Sequence, residues 1–150
     1  MTTVETTQAL WQTIPGAEPF FEIYGYWPNL HDAAVRKLKI GFAARELILV
    51  VDYSDHGKGQ DDQPEICTRI TLRWFGITES TLRMEEEFLY GINLARAGEL
   101  IETRIDDYAY GLGGSILSAG IEVLRIELLP EPSEHEDYAI QITMREVCEQ

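Results

Sequence analysis

The sequence has few cysteines, few basic residues and no long apolar run, and each shortage excludes a class of protein. Its 150 residues include two cysteines, Cys67 and Cys148, whose separation fits neither a disulfide framework nor a metal-binding motif. We expect both to be reduced, structural thiols. No stretch reaches the roughly 18 apolar residues that a membrane-spanning helix requires, and residues 1–5 lack the features of a secretory signal. We therefore expect one domain over residues 1–150, located in the cytoplasm.

Basic residues are scarce, because 12 Lys and Arg stand against 26 Asp and Glu, giving a net charge of −14. Residues 1–45 hold four acids and four bases, so the whole excess lies in residues 46–150. Such a charge repels nucleic-acid phosphates and attracts basic proteins. The composition thus argues against a nucleic-acid partner and favours a basic protein partner, with plain solubility as the alternative.

Helix signals are confined to the N-terminal part of the chain. Residues 5–13 predict one short helix, which Pro15 and Gly16 end. The aromatic-rich segment 19–28 is broken by prolines, and we interpret it as an ordered arm or short strand that packs on the core.

The rest of the chain alternates apolar and polar residues, the pattern of half-buried strands. A shift of parity between Val123 and Leu124 indicates a bulge, and Gly111, Gly113 and Gly114 suggest a connection between strands. We predict a mainly β protein, α+β at most: an antiparallel meander of about eight strands, curved into a half-barrel or sandwich, with one or two short helices near the N-terminus. The predicted strands are 35–42, 47–51, 66–74, 82–84, 88–94, 100–106, 115–118, 121–128 and 138–144.

The dipeptide His31-Asp32 is the first candidate for chemistry. Neighbouring residues of an extended chain point to opposite faces, so the two side chains do not readily pair, and no nucleophile is evident. We expect a structural role, with Asp32 accepting backbone N–H bonds at a turn and His31 packing beside Trp27. An enzyme that uses His31 and Asp32 is the alternative.

The glycines and acids suggest no cofactor. The acidic loop 52–65 invites a calcium site, but its acids do not follow the spacing of an EF-hand. The glycines near residue 113 match no phosphate-binding motif. We predict no metal and no cofactor.

Acidic clusters and two tyrosines are the candidates for binding a protein partner. Charge runs are often simply solvated, and core packing is the alternative for the tyrosines, but exposed aromatic residues are enriched at interfaces. The candidate partner-binding residues are Asp55, Asp61, Asp62, Glu85, Glu86, Glu87, Asp106, Asp107, Tyr108 and Tyr110.

Residues 25–35 resemble the immunity protein 50 family. Members often show a stretch like Gly-x-Trp-Pro-Ser-Phe-His-Asp-Ala-Glu-Val near the N-terminus. The matching elements here are Trp27-Pro28, His31-Asp32-Ala33 and Val35, whereas Asn29, Leu30 and Ala34 depart from the pattern. The segment Phe75-Gly76-Ile77-Thr78 is also similar to an aromatic-Gly-Val-Thr turn that precedes a strand in the family.

The resemblance implies an immunity protein of a bacterial polymorphic toxin system, which binds and neutralises a cognate toxin and is not an enzyme. The motif residues Trp27, Pro28, His31 and Asp32 would then be structural, and the acidic groups would dock into a basic toxin cleft. A non-enzymatic adaptor or scaffold domain, acidic only for solubility, is the second reading.

Overall fold

The computed structural model describes residues 7–31, 33–54, 66–84, 91–105, 112–129 and 141–142, which form two short helices and one curved, open sheet. The strand order is β4-β5-β6-β3-β2-β1-β7; all neighbours are antiparallel except β7, which is parallel to β1. The mainly β prediction is confirmed. The elements are α1 (Thr7–Trp11), α2 (Glu18–Tyr24), β1 (Ala34–Gly41), β2 (Glu46–Ser54), β3 (Cys67–Met84), β4 (Ile92–Ala97), β5 (Leu100–Ile105), β6 (Leu112–Leu129) and β7 (Gln141–Ile142).

Two strands of 18 residues, β3 and β6, form the central pair of the sheet. The first half of β3 also pairs with β2, and residues 114–118 of β6 also pair with β5. Two register shifts interrupt their pairing: Leu124 is the extra residue on β6 and Thr78 the extra residue on β3. The bulge predicted beside Val123 is thus confirmed.

The sequence divided each of these long strands in two, and that prediction was wrong. The segment from Phe75 to Thr78 is not a turn but lies inside β3, and Gly113 and Gly114 lie inside β6 rather than in a connection. Glycine here allows close approach between strands: a Cβ on Gly120 would lie 2.3 Å from the ring of Phe75. Glycine in a strand is therefore not always the sign of a turn.

The segment interpreted as an arm or short strand contains a helix, α2. Pro19 lies in its first turn, where a missing N–H costs nothing. Gly25 ends the helix with φ 82°, and its N–H donates to the carbonyl of Phe21 at 2.7 Å. Phe20 and Tyr24, four residues apart, are the buried side chains of this helix. Two prolines signalled a broken segment, but one of them starts the helix.

The core lies between the helices and one face of the sheet. Along β2, buried residues alternate with half-buried ones, so one face of this strand lines the core and the other is partly exposed. Phe42, the last residue of the predicted strand 35–42, lies beyond β1 and is 65% exposed. Within the described ranges, no helix is long and apolar enough to cross a membrane. The largest buried side chains include Trp11, Phe20, Leu30, Leu49, Leu72 and Trp74.

Candidate functional site

The described residues that resemble the immunity family, 25–31 and 33–35, run from the end of α2 into the start of β1. The ring of Trp27 packs on that of Phe21 with centroids 4.9 Å apart, and Pro28 is buried. Leu30 is fully buried although its φ is +55°, a conformation that is uncommon for residues other than glycine. The N–H of Ala33 donates to the carbonyl of Leu30 at 3.2 Å. These contacts make the connection a folded part of the core.

Asn29 makes the polar contacts of this connection. Its side-chain Oδ1 accepts the backbone N–H of His31 at 3.1 Å, the arrangement of an Asx turn. Its carbonyl accepts the backbone N–H of Ile92, also at 3.1 Å. Ile92 begins β4, the strand farthest from β1 in the antiparallel sheet, so this bond spans the opening of the curved sheet.

Of the motif residues His31 and Asp32, the structure describes only His31. The side chain of His31 is exposed, and its predicted packing beside Trp27 stays a prediction. Asp32 lies outside the described residues, so its predicted turn-stabilising role stays a prediction. Asn29 supplies to His31 the kind of acceptor that we had expected from Asp32.

An aromatic cluster fixes the helix and the connection to the sheet. The ring of Phe20 lies 4.6 Å from that of Tyr24 and 5.5 Å from that of Tyr53. The Tyr24 hydroxyl lies 2.9 Å from Thr68 Oγ1, and the Tyr26 hydroxyl lies 2.8 Å from that of Tyr53. The sequence analysis missed Tyr53 and Thr68. Tyr53 follows its partner Tyr26 by 27 positions and Thr68 follows its partner Tyr24 by 44, and no local pattern marks such distant pairs.

The outer face of the sheet carries paired charges in two groups. In the first, the carboxylate of Asp52 accepts Arg69 at 2.8 and 3.0 Å and contacts Arg36 at 3.2 Å. Arg36 is the bulged residue of β1, because Val35 and Lys37 pair with consecutive residues of β2. The bulge lets Arg36 reach the outer face beside Asp52.

The second group is centred on Arg73, which contacts Glu46 at 3.3 Å and Glu122 at 3.2 Å across three adjacent strands. Its guanidinium also lies 5.2 Å from the centroid of the Phe75 ring. Each acid in these two groups therefore contacts an arginine, and the two groups together carry no excess of negative charge.

The described part of the chain as a whole is nearly neutral. It contains nine acids and ten lysines and arginines, so the other residues hold the remaining 17 acids and two bases. The excess negative charge thus lies outside the described residues. All ten candidate partner-binding residues lie there as well: Asp55, Asp61, Asp62, Glu85, Glu86, Glu87, Asp106, Asp107, Tyr108 and Tyr110.

The strand termini that border these candidates lie at two ends of the β3–β6 pair. Ser54 and Leu129 both pair with Cys67, so segment 55–65 is attached at this end. Met84 pairs with Leu112 at the other end, where segments 85–90 and 106–111 are attached. The topology therefore does not attach all the candidates at one place.

The predicted absence of a metal site is untested for the acidic loop, of which only residues 52–54 are described. The Asp52 carboxylate in that loop is already bound by two arginines. Among the described residues, no three His, Cys, Asp or Glu side chains are grouped so that they could hold a metal ion. Cys67 is buried, and Cys148 lies outside the described residues.

Comparison of the chain with protein-family models, with curated proteins and with solved structures finds no match.

Proposed function

We propose that this chain is an immunity protein that binds and neutralises a cognate, basic bacterial toxin in the cytoplasm, without catalysis and without binding nucleic acid. The observation that supports it most is the uneven charge: the described sheet and helices are nearly neutral, and the remaining residues hold 17 acids and two bases. The proposal that the protein is an immunity protein comes from the resemblance of residues 25–35 to the immunity protein 50 family.

The charge pairs of the sheet support this proposal because they distinguish acids that are neutralised by arginine from acids that can attract a basic partner. Asp52, Glu46 and Glu122 are each bound to arginine, so they contribute little to the field that an approaching protein meets. The unbalanced acids set that field instead. Complementary charge accelerates association and orients the partners, and a few aromatic contacts supply most of the affinity.

The contacts of the motif support a non-catalytic role for it. Leu30 and Pro28 are buried, and Asn29 joins the connection to β4 through Ile92. The exposed His31 lies on a turn formed by these residues, and no nucleophile has been identified for it to activate. The motif therefore fits a part of the scaffold better than an active centre.

Co-expression tests the proposal. The gene adjacent to the one that encodes this chain is expressed in a sensitive host, with and without this chain. We expect the neighbour to arrest growth, this chain to restore it, and the two proteins to co-purify. An unrelated protein of similar size and net charge controls for non-specific binding. Absence of both rescue and complex contradicts the proposal, and absence of any toxin gene nearby favours the adaptor.

A further inference from the structure

The N-terminal part of the chain bonds the backbone of β4 at two places. Thr7 Oγ1 accepts the backbone N–H of Leu94 at 3.1 Å, and the same hydroxyl donates to the carbonyl oxygen of Leu94 at 3.4 Å. The carbonyl of Asn29 accepts the backbone N–H of Ile92 at 3.1 Å. Three backbone groups of β4 are therefore bonded by residues that precede β1 in the chain.

These three backbone groups all lie on one side of β4. In an antiparallel strand the N–H and C=O of one residue face the same side, and residues two positions apart face that side too. Ile92 and Leu94 are two positions apart and belong to the ladder that β4 forms with β5. Because their backbone groups bond Thr7 and Asn29, they face away from β5, at the outer edge of β4.

Both contacts are anchored in the core. Thr7 is the first residue of α1, and Leu10 and Trp11 of this helix are fully buried. Asn29 precedes Leu30, which is also fully buried. Natural proteins often cover the edge of a sheet with a helix or a loop, which prevents the edge from pairing with another chain. Here α1 and the residues after α2 occupy that place.

We propose that the bonds of Thr7 and Asn29 form a clasp that keeps the outer edge of β4 from pairing, and that opening this clasp lets the β4 strands of two copies pair. The backbone groups that the clasp holds are those that an antiparallel partner strand would bond. A second copy presents the identical strand, and a twofold axis allows the two strands to pair with each other. The inference goes beyond the toxin-binding function and does not depend on it.

Hydrogen exchange of single amides, followed by NMR, tests the Thr7 contact. Thr7→Val keeps the branched shape but removes the hydroxyl, so we expect the Leu94 amide to exchange about fivefold faster or more. The Ile92 amide, which Asn29 holds, should change less than about twofold in this variant. Thr7→Ser keeps a hydroxyl, and the Leu94 amide should then stay within about twofold of the unmodified chain.

The matched control is Thr13→Val. The Thr13 hydroxyl donates to the carbonyl of Leu10 at 2.7 Å, so it bonds within the N-terminal part of the chain and not to β4. This variant loses the same chemical group from the same region, and we expect both β4 amides to stay within about twofold of their unmodified rates.

Sedimentation equilibrium tests whether the opened edge pairs. Thr7→Val combined with Asn29→Ala loosens both contacts, because the Asn29 side chain holds the turn from which its carbonyl reaches Ile92. We expect the dimer dissociation constant of this double variant to be at least about tenfold lower than that of the unmodified chain. Thr13→Val should match the unmodified chain. Circular dichroism checks folding, and Thr7→Val alone replaces the double variant if the latter is unfolded.

Two results overturn the proposal. One is a Leu94 amide that exchanges equally fast in Thr7→Val and in the unmodified chain, because the hydroxyl then does not hold the edge. The other is a folded variant in which Leu94 exchanges faster but association is no tighter, because the opened edge then does not pair with a second copy.

Discussion

The carbonyl of Asn29 accepts the backbone N–H of Ile92 at 3.1 Å, so the connection before β1 is bonded to the first residue of β4. These two strands lie at opposite sides of the antiparallel sheet. The stretch that resembles the immunity family therefore spans the opening of the curved sheet, and its residues can be tested as parts of the scaffold.

Replacing Asn29 should show how much its Asx turn contributes to the free energy of unfolding. Asn29→Ala removes the acceptor of the His31 N–H, and we expect the free energy of unfolding to fall by about 1 kcal/mol. Asn29→Asp keeps an oxygen at this position and should lose less than half as much. Urea unfolding measures both. Equal losses in the two variants would show that the side-chain acceptor has no role.

Replacing His31 should change very little. Because the side chain is exposed, we expect His31→Ala to alter the free energy of unfolding by less than about 0.5 kcal/mol. The proposed function also predicts that this variant still protects cells from the toxin. A folded variant that loses a measurable turnover would instead support the alternative in which His31 and Asp32 form an active site.

Two buried tryptophans form a matched pair for measuring one hydrogen bond. Trp74 Nε1 donates to Thr103 Oγ1 at 2.8 Å, whereas Trp11 Nε1 has no hydrogen-bond partner in the described part of the chain. Replacement by Phe removes the same volume at either site. We expect Trp74→Phe to cost about 1–2 kcal/mol more than Trp11→Phe, since only Trp74→Phe breaks a bond. Thermal unfolding of both variants compares them, and an equal or larger loss for Trp11→Phe is the contrary result.

Two glycines with positive φ should differ sharply in their tolerance of alanine. At Gly114 φ is +127°, and a Cβ would lie 1.6 Å from the carbonyl oxygen of Thr81. At Gly98 φ is +66° and the space is open. We expect Gly98→Ala to cost about 1 kcal/mol and Gly114→Ala about 3 kcal/mol or more. Similar costs would mean that β3 and β6 are not so closely paired at this point.

The local alternation of apolar and polar residues predicted strands correctly where that alternation by itself determines which side chains face the core. The alternation of residues 66–74 predicted the buried face of β3 from Thr68 to Trp74, although Ile66 itself is 42% exposed. The parity shift beside Val123 predicted the bulge, because an extra residue necessarily changes which side chains face the core.

The errors arose where a distant partner decides the structure. Gly76 was interpreted as part of a turn, but it lies where a neighbouring strand comes close: a Cβ on Gly76 would lie 2.6 Å from that of Ala119. The bond from Asn29 to Ile92 joins residues 63 positions apart, and no local pattern marks it. The candidate partner-binding residues stay predictions, since they lie outside the described residues.

Binding of the purified neighbouring toxin to charge-neutralised variants tests the central claim most directly. Two triple variants remove candidate acids: Asp55→Asn, Asp61→Asn and Asp62→Asn in one, and Glu85→Gln, Glu86→Gln and Glu87→Gln in the other. The control removes three exposed acids of the described part of the chain, by Glu18→Gln, Glu22→Gln and Glu99→Gln. All three variants change the net charge equally.

We predict that at least one of the first two variants raises the Kd for the toxin about tenfold or more, and that the control changes it less than about threefold. Equal changes in all three variants, or no change in either of the first two, would contradict the claim that acids outside the neutral sheet bind the toxin.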